Sequence, residues 1–186
     1  MSARALARSV GVSPSLISQI ENAKANPSVG TPYAIVTALG MSLDELFADN
    51  GTQEASSIPS HVRATRHRHV LRRGDRRALD LASGVHWERL TPTSDSDVDF
   101  LQVTYQAGAE SCPPDALMRH SGSEYGLVLR GRLGATVGFD HYELEPGDSI
   151  VFDSSLPHRF WTIGDEPTTI VWTIIGRVGN RPDRFP

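Results

Sequence analysis

Cysteine is nearly absent: Cys112 is the single one in 186 residues, so no internal disulfide can form. That excludes the disulfide-stapled scaffolds of secreted domains. Lysine is as scarce, with Lys24 standing beside seventeen arginines. No apolar run approaches the roughly 18 residues of a membrane span. The opening Met-Ser-Ala-Arg-Ala-Leu-Ala-Arg lacks the apolar segment of a signal peptide. These absences predict a cytoplasmic protein with no membrane partner, in which Asn50-Gly51-Thr52 reads as a turn rather than a glycosylation acceptor. A basic excess is missing too. The net charge of −4 excludes a protein that coats nucleic acid by charge alone. The charge is uneven, −1 over residues 1–50, +2 over 51–97 and −5 over 98–186, so any DNA binding depends on a few placed contacts. No Gly-x-Ser-x-Gly elbow supports hydrolysis by a Ser-His-Asp set. Gly131, Gly134 and Gly138 are followed by no helical pattern and read as strand and turn glycines, not a phosphate loop.

What is present begins with an apolar content of 39%, enough for a packed core. Residues 1–50 carry helix signals. Leu6 and Val10 share one face of a helix that ends at Gly11. Ser13-Pro14 gives an N-cap and a first-turn proline to a second helix striped by Leu16, Ile17 and Ile20. Thr31-Pro32 repeats that start signal for a third helix, with Ile35 and Leu39 before Gly40. Ser42-Leu43-Asp44-Glu45 is a capping box. Two helices across a tight Gly-containing turn fit a helix-turn-helix unit. Residues 51–60 are polar and aperiodic, a linker. Residues 61–77 hold seven arginines and three histidines, which reads as a solvated face or an exposed strand leading into the next domain, with an auxiliary phosphate contact as the sharper alternative. From Val85 onward the pattern changes to short β segments, at 100–105, 125–129, 149–152 and 168–175, punctuated by Gly, Pro and Asp. Many such strands predict an all-β sandwich or barrel.

Residues 4–47 carry Leu6-Ala7, Gly11-Val12-Ser13, Ile17-Ser18-Gln19-Ile20-Glu21, Pro27-Ser28, Ala38-Leu39-Gly40 and Leu43-Asp44-Glu45-Leu46-Phe47. Together these resemble the Xre-type, lambda-repressor-like helix-turn-helix family. A recognition helix needs short polar side chains where it meets base edges, and Ser13, Ser15, Ser18 and Gln19 supply them. The resemblance implies that Ser13, Ser15 and Gln19 approach bases or phosphates, while Asn22 and Lys24 hold the backbone. The plainer alternative for the serines is capping and solubilising a surface helix. Family members usually carry another helix ahead of the one at Ala3, so the resemblance implies a sequence that starts at or near the second helix, through either a misassigned start or a truncation.

Residues 98–176 resemble the cupin family as found fused to such regulators. The first motif stands as MRHSGSEYGLVLRG over 118–131, the second as EPGDSIVFDSSLPHRFW over 145–161. The expected fold is therefore α + β multidomain: an all-α helix-turn-helix module at 1–50, a linker at 51–60, and an all-β double-stranded β-helix barrel at 61–186. Met118, His120 and Glu124 share the parity of one face on an extended chain, and a second strand would bring His158 beside them. His120, Glu124 and His158 suit one divalent ion, Zn, Fe, Mn or Ni, with open positions. Many cupins carry a further His where Met118 stands. The three polar groups equally suit an organic ligand, or hydrogen bonds among themselves. Phe152 and Phe160 are core residues or pocket lining.

The resemblance implies a homodimeric transcription regulator that reads a double-stranded DNA operator and senses a small-molecule effector in its barrel. The alternative is a metal-dependent enzyme. Hydroxypropylphosphonate epoxidase, an iron enzyme, has a similar layout and shares the spacing of His120, Gly122 and Glu124 and the Pro157-His158 pair.

Overall fold

The computed structural model describes residues 1–22, 24–25, 27–41, 43–47, 69–81, 84–93 and 98–176. Four helices come first: α1 (Ala3–Val10), α2 (Pro14–Glu21), α3 (Gly30–Leu39) and α4 (Leu43–Leu46). Their ends follow from local chemistry. Ser2 Oγ accepts from Ala5 N, and Gly11, at φ 72°, ends α1 in the left-handed conformation that glycine adopts without steric cost. Ser13 Oγ accepts from Leu16 N at 3.1 Å, satisfying one donor that the helix leaves open, and Pro14 starts α2 with φ already fixed. The third helix starts one residue before the Thr31-Pro32 signal, at Gly30, and Val29 caps it with no side-chain bond. Pro32 still falls in the first turn, where no intrahelical N–H donor is needed. Leu6, Ala7 and Ile17 form a small core with Val10, Val12 and Ile35 around them.

Nine strands follow among the described residues: β1 (Ala78–Leu81), β2 (Val85–Arg89), β3 (Val98–Tyr105), β4 (Ser123–Arg130), β5 (Arg132–Val137), β6 (Asp140–Leu144), β7 (Ser149–Asp153), β8 (His158–Ile163) and β9 (Thr168–Ile175). They make a six-stranded sheet, β1-β2-β3-β9-β4-β7, and a three-stranded sheet, β6-β5-β8, with every pairing antiparallel. Side chains alternate in and out, so Val85, Trp87 and Arg89 of β2 and Ile170, Trp172 and Ile174 of β9 point inward. Residues 69–77 contain no strand. They are largely exposed and include a 3-10 turn at Arg73–Asp75, which fits the solvated-face reading, and the lead-in strand begins only at Ala78. Residues 61–68, the linker at 51–60 and Ser42 of the capping box lie outside the described residues.

The two parts share one core. Val29, Tyr33, Val36, Leu43 and Phe47 from the helices belong to the same buried cluster as Trp87, Val103, Tyr105, Phe160 and Trp172 from the barrel. Arg77 Nη1 donates to Phe47 O at 3.0 Å across the junction. Gly30 packs close to the barrel: a Cβ there would lie 3.3 Å from Met118 Cγ, tighter than an ordinary contact.

Candidate functional site

The first candidate surface is α2. Ser13, Ser15, Ser18, Gln19, Asn22 and Lys24 are all exposed, while Ile17 is buried inward. Two of them also have local duties. Ser13 caps the helix, and Asn22 Nδ2 donates to Ser18 O at 2.6 Å, closing the last turn. The helix N-terminus carries a partial positive charge, so this end is suited to a phosphate. The junction with the barrel is made by Val29, α3, α4 and Phe47, which leaves the outward face of α2 uncovered by the described residues.

The second is inside the barrel. Glu124 lies on β4, opposite Phe152 of β7 and Ile174 of β9. His158 opens β8. His120 precedes β4 rather than lying on it, since Gly122, at φ 103°, breaks the extended run that the parity argument assumed. Backbone bonds do the placing instead. Met118 N donates to His158 O at 3.0 Å, His158 N donates to Met118 O at 2.9 Å, and His120 N donates to Ser154 O at 3.0 Å. The ligating atoms of His120, Glu124 and His158 thus lie within 4.8 Å of one another. Glu124 Oε1 is 2.9 Å from His120 Nε2 and 3.4 Å from His158 Nε2, and all three side chains are at most 6% exposed.

The hydrogen bonds fix the tautomers. His120 Nδ1 lies 3.1 Å from Ser121 O and His158 Nδ1 lies 2.9 Å from Leu156 O. A carbonyl only accepts, so each Nδ1 carries the proton. Burial pushes the His158 imidazole below its ordinary range, against the attraction of Glu124, which keeps that ring neutral at neutral pH. The Nε2 atoms of both imidazoles and one carboxylate oxygen of Glu124 then face one another. Glu124 Oε1 and His158 Nε2 are both buried without a hydrogen-bond partner. Beside them the Tyr105 phenol is pushed above its usual range by burial and by the Glu124 carboxylate, so it stays protonated.

The cavity above this set is 20 Å³, room for about one water. Phe160 and Met118 line it. Phe152 instead packs its ring 5.1 Å from that of His158 and 5.9 Å from that of Phe160. The remaining walls include Trp87, Tyr105, Trp172, Val29 and Tyr33. The last two come from the helical module. Tyr33 lies parallel to the His120 ring, with centroids 4.7 Å apart and planes 9° from parallel. Tyr33 carries no signal of a site role in the sequence. Trp87 and Tyr105 had a signal in the strand alternation, but Tyr33 had none.

Residues 1–46 match the family pattern described as helix-turn-helix, and residues 101–174 match that described as cupin domain. The chain is 25% identical over 162 residues to the HTH-type transcriptional regulator PuuR of Escherichia coli (strain K12), an alignment covering 86% of this chain and 79% of the relative. Among solved structures, an HTH_3 family transcriptional regulator from Vibrio cholerae superposes with TM-score 0.64 at 22% identity, covering 95% of this chain and 87% of that one. An RmlC-like cupin from Shewanella frigidimarina superposes with TM-score 0.51 at 17% identity, covering 64% of this chain and 97% of that one.

Proposed function

Since the chain is an Xre-type helix-turn-helix module fused to a cupin domain, we propose that it is a transcription regulator whose barrel senses a small-molecule effector. The observation that carries this reading is the pairing of an outward polar helix, α2, with a buried ligand-type cluster, joined through one core. The likeness to a curated transcriptional regulator over most of both chains supports it. In this reading the protein works in the cytoplasm as a homodimer. Two copies of α2 enter successive major grooves, with half-sites about 34 Å apart. Ser13, Ser15, Ser18 and Gln19 meet base edges or phosphates, and Asn22 and Lys24 hold the backbone.

His120, Glu124 and His158 fit a divalent cation, Zn, Fe, Mn or Ni, because two imidazole nitrogens and a carboxylate oxygen converge, and Glu124 Oε1 and His158 Nε2 are buried there without a hydrogen-bond partner. Such an ion would supply a charge and open positions for an oxygen or nitrogen of an effector. The carbonyls of Ser121 and Leu156 orient the two imidazoles as outer partners of metal-binding histidines do. Ligand binding would favour one arrangement of the two modules over another and so shift DNA affinity.

The test is enrichment of duplexes from a random pool by the full chain, followed by footprinting. A short, two-fold symmetric protected site is expected. Uniform retention of all duplexes would overturn the reading. Two imidazoles and one carboxylate also match the ligand set of non-haem iron oxygenases, so oxygen or peroxide consumption by iron-loaded protein is the outcome that would favour an enzyme.

A further inference from the structure

The barrel mouth is closed by the chain itself. Val29 and Tyr33, at 3% and 8% exposure, come from the helical module and form walls of the same small cavity as Glu124, Tyr105 and Trp172. Tyr33 stacks on His120 and meets Trp87 edge-on, with centroids 5.3 Å apart and planes at 66°. Without that ring, a flat slot would stand open between His120 and Trp87, with the carboxylate and imidazoles on its wall. Outside it lies a cleft of 600 Å³ between α3 and residues 112–120, and Tyr33, Met118 and His120 line both spaces. A small molecule in the cleft therefore reaches the edge of the Tyr33 ring before it reaches the barrel.

We propose that Tyr33 is a tethered occupant of the effector site, and that the effector is a small aryl compound with a polar substituent, which binds by displacing α3 from the barrel mouth. This rests on the reading of the barrel as a sensor. The slot fixes the chemistry. Its two walls are the His120 imidazole plane and the Trp87 indole, which accept a planar ring in stacked and T-shaped geometry. The groups beyond it, Glu124, His120 and His158, take a hydroxyl or amine on that ring, or hold a metal that does. Because the ring of Tyr33 and the ring of a ligand cannot share the slot, docking of the helical module and ligand binding are mutually exclusive. Each weakens the other by the same factor. The orientation of α2 relative to the barrel is then the quantity that the ligand sets.

The probe is p-cresol, the side chain of tyrosine detached from its backbone, used on metal-free full-length protein. Calorimetry compares wild type with Tyr33→Ala. Binding to the variant is expected to be at least about tenfold tighter, because wild type binds only from its undocked fraction. Nitroxides attached through Glu21→Cys and Asp140→Cys, in a Cys112→Ser background, report the distance between α2 and the barrel. A narrow distribution is expected without the probe and a broad one with it. Equal affinities, no binding by Tyr33→Ala, or binding by wild type with the distance unchanged would each overturn the proposal. If Tyr33→Ala fails to fold, the wild-type distance measurement still decides. None of these readouts uses DNA, so a failure to enrich any duplex would end the regulator reading while leaving the displacement result intact.

Discussion

At Glu124 one carboxylate oxygen meets two imidazoles whose Nδ1 protons are committed to backbone carbonyls. Binding of Zn²⁺ by calorimetry should be detectable in wild type, and Glu124→Gln should lose more than the roughly 10- to 100-fold that changes in outer partners cost. Equal affinity in the two would leave the cluster as an organic ligand site. The pH dependence of the metal-free protein follows from His158. Its pKa in the fold is lowered by burial, with the Glu124 carboxylate pulling up and His120 pushing down. In the unfolded chain the imidazole takes a proton near pH 6.5. The unfolded state therefore binds more protons below that pH, and stability present above it is lost as pH falls, by up to about 1.4 kcal/mol per pH unit for this one group. Urea midpoints across pH 5 to 7.5 should fall on the acid side, and His158→Asn should flatten that limb. On the other surface, Gln19 and Lys24 are separable. Gln19→Ala should cost about 1–3 kcal/mol on the specific duplex and little on random DNA. Lys24→Ala should weaken both and lower the salt slope by about one. Equal, negligible losses for Gln19→Ala on both duplexes would remove it from base readout.

Elements were legible wherever a local signal suffices. Ser13-Pro14 and Gly11 mark their helix ends because capping and left-handed glycine are decided within a few residues. Strand β9 was read to its ends, 168–175, because β-branched and aromatic residues fill it. The approach of His120 to His158 was anticipated, but for a reason that does not hold. Parity on one strand fails at Gly122, and the bonds from Met118 and His120 to the start of β8 and its loop take its place. Such bonds join residues 34 and 40 positions apart, which no window of local pattern contains. Close packing between elements was equally hidden. Gly134 of β5 lies under Trp161 of β8, so near that a Cβ would fall 2.0 Å from the indole Cε2. Arg159 covers the same indole, with Cζ 4.7 Å from the ring centre. Gly134→Ala must push the indole off the sheet and should cost about 1–3 kcal/mol, read as a lower thermal midpoint. An unchanged midpoint would mean that Trp161 has other room to move.

For the whole molecule, the two-domain order was written in composition and period, but the docking of α3 on the barrel was not, since Val29 and Tyr33 read in sequence like any helix core pair. What composition did signal is the outer face of the large sheet. Strand β9 carries apolar residues on both parities. Ile170, Trp172 and Ile174 fill the barrel, while Val171 and Ile175 point the other way. Neighbouring strands add to that outer face. Tyr125 lies across from Val151 and Thr173, and Leu127 lies across from Val171. Tyr125, Leu127 and Val151 are 45%, 43% and 61% exposed in the single chain. Solvent-facing strands normally alternate to polar residues, and contiguous apolar patches on a soluble chain mark interaction sites. A regulator that reads a two-fold symmetric site needs a two-fold interface, and this face is suited to bind its own copy. Leu127→Asp with Val151→Asp places carboxylates at the centre of the face while leaving the buried side of both strands untouched. Sedimentation at micromolar concentration should show wild type as a dimer and the double variant as a monomer with unchanged circular dichroism. The variant should also lose most of its affinity for a two-half-site duplex while binding a single half-site as wild type does. A double variant that still sediments as a dimer would move the interface elsewhere, and a wild-type monomer would remove the dimer from the mechanism.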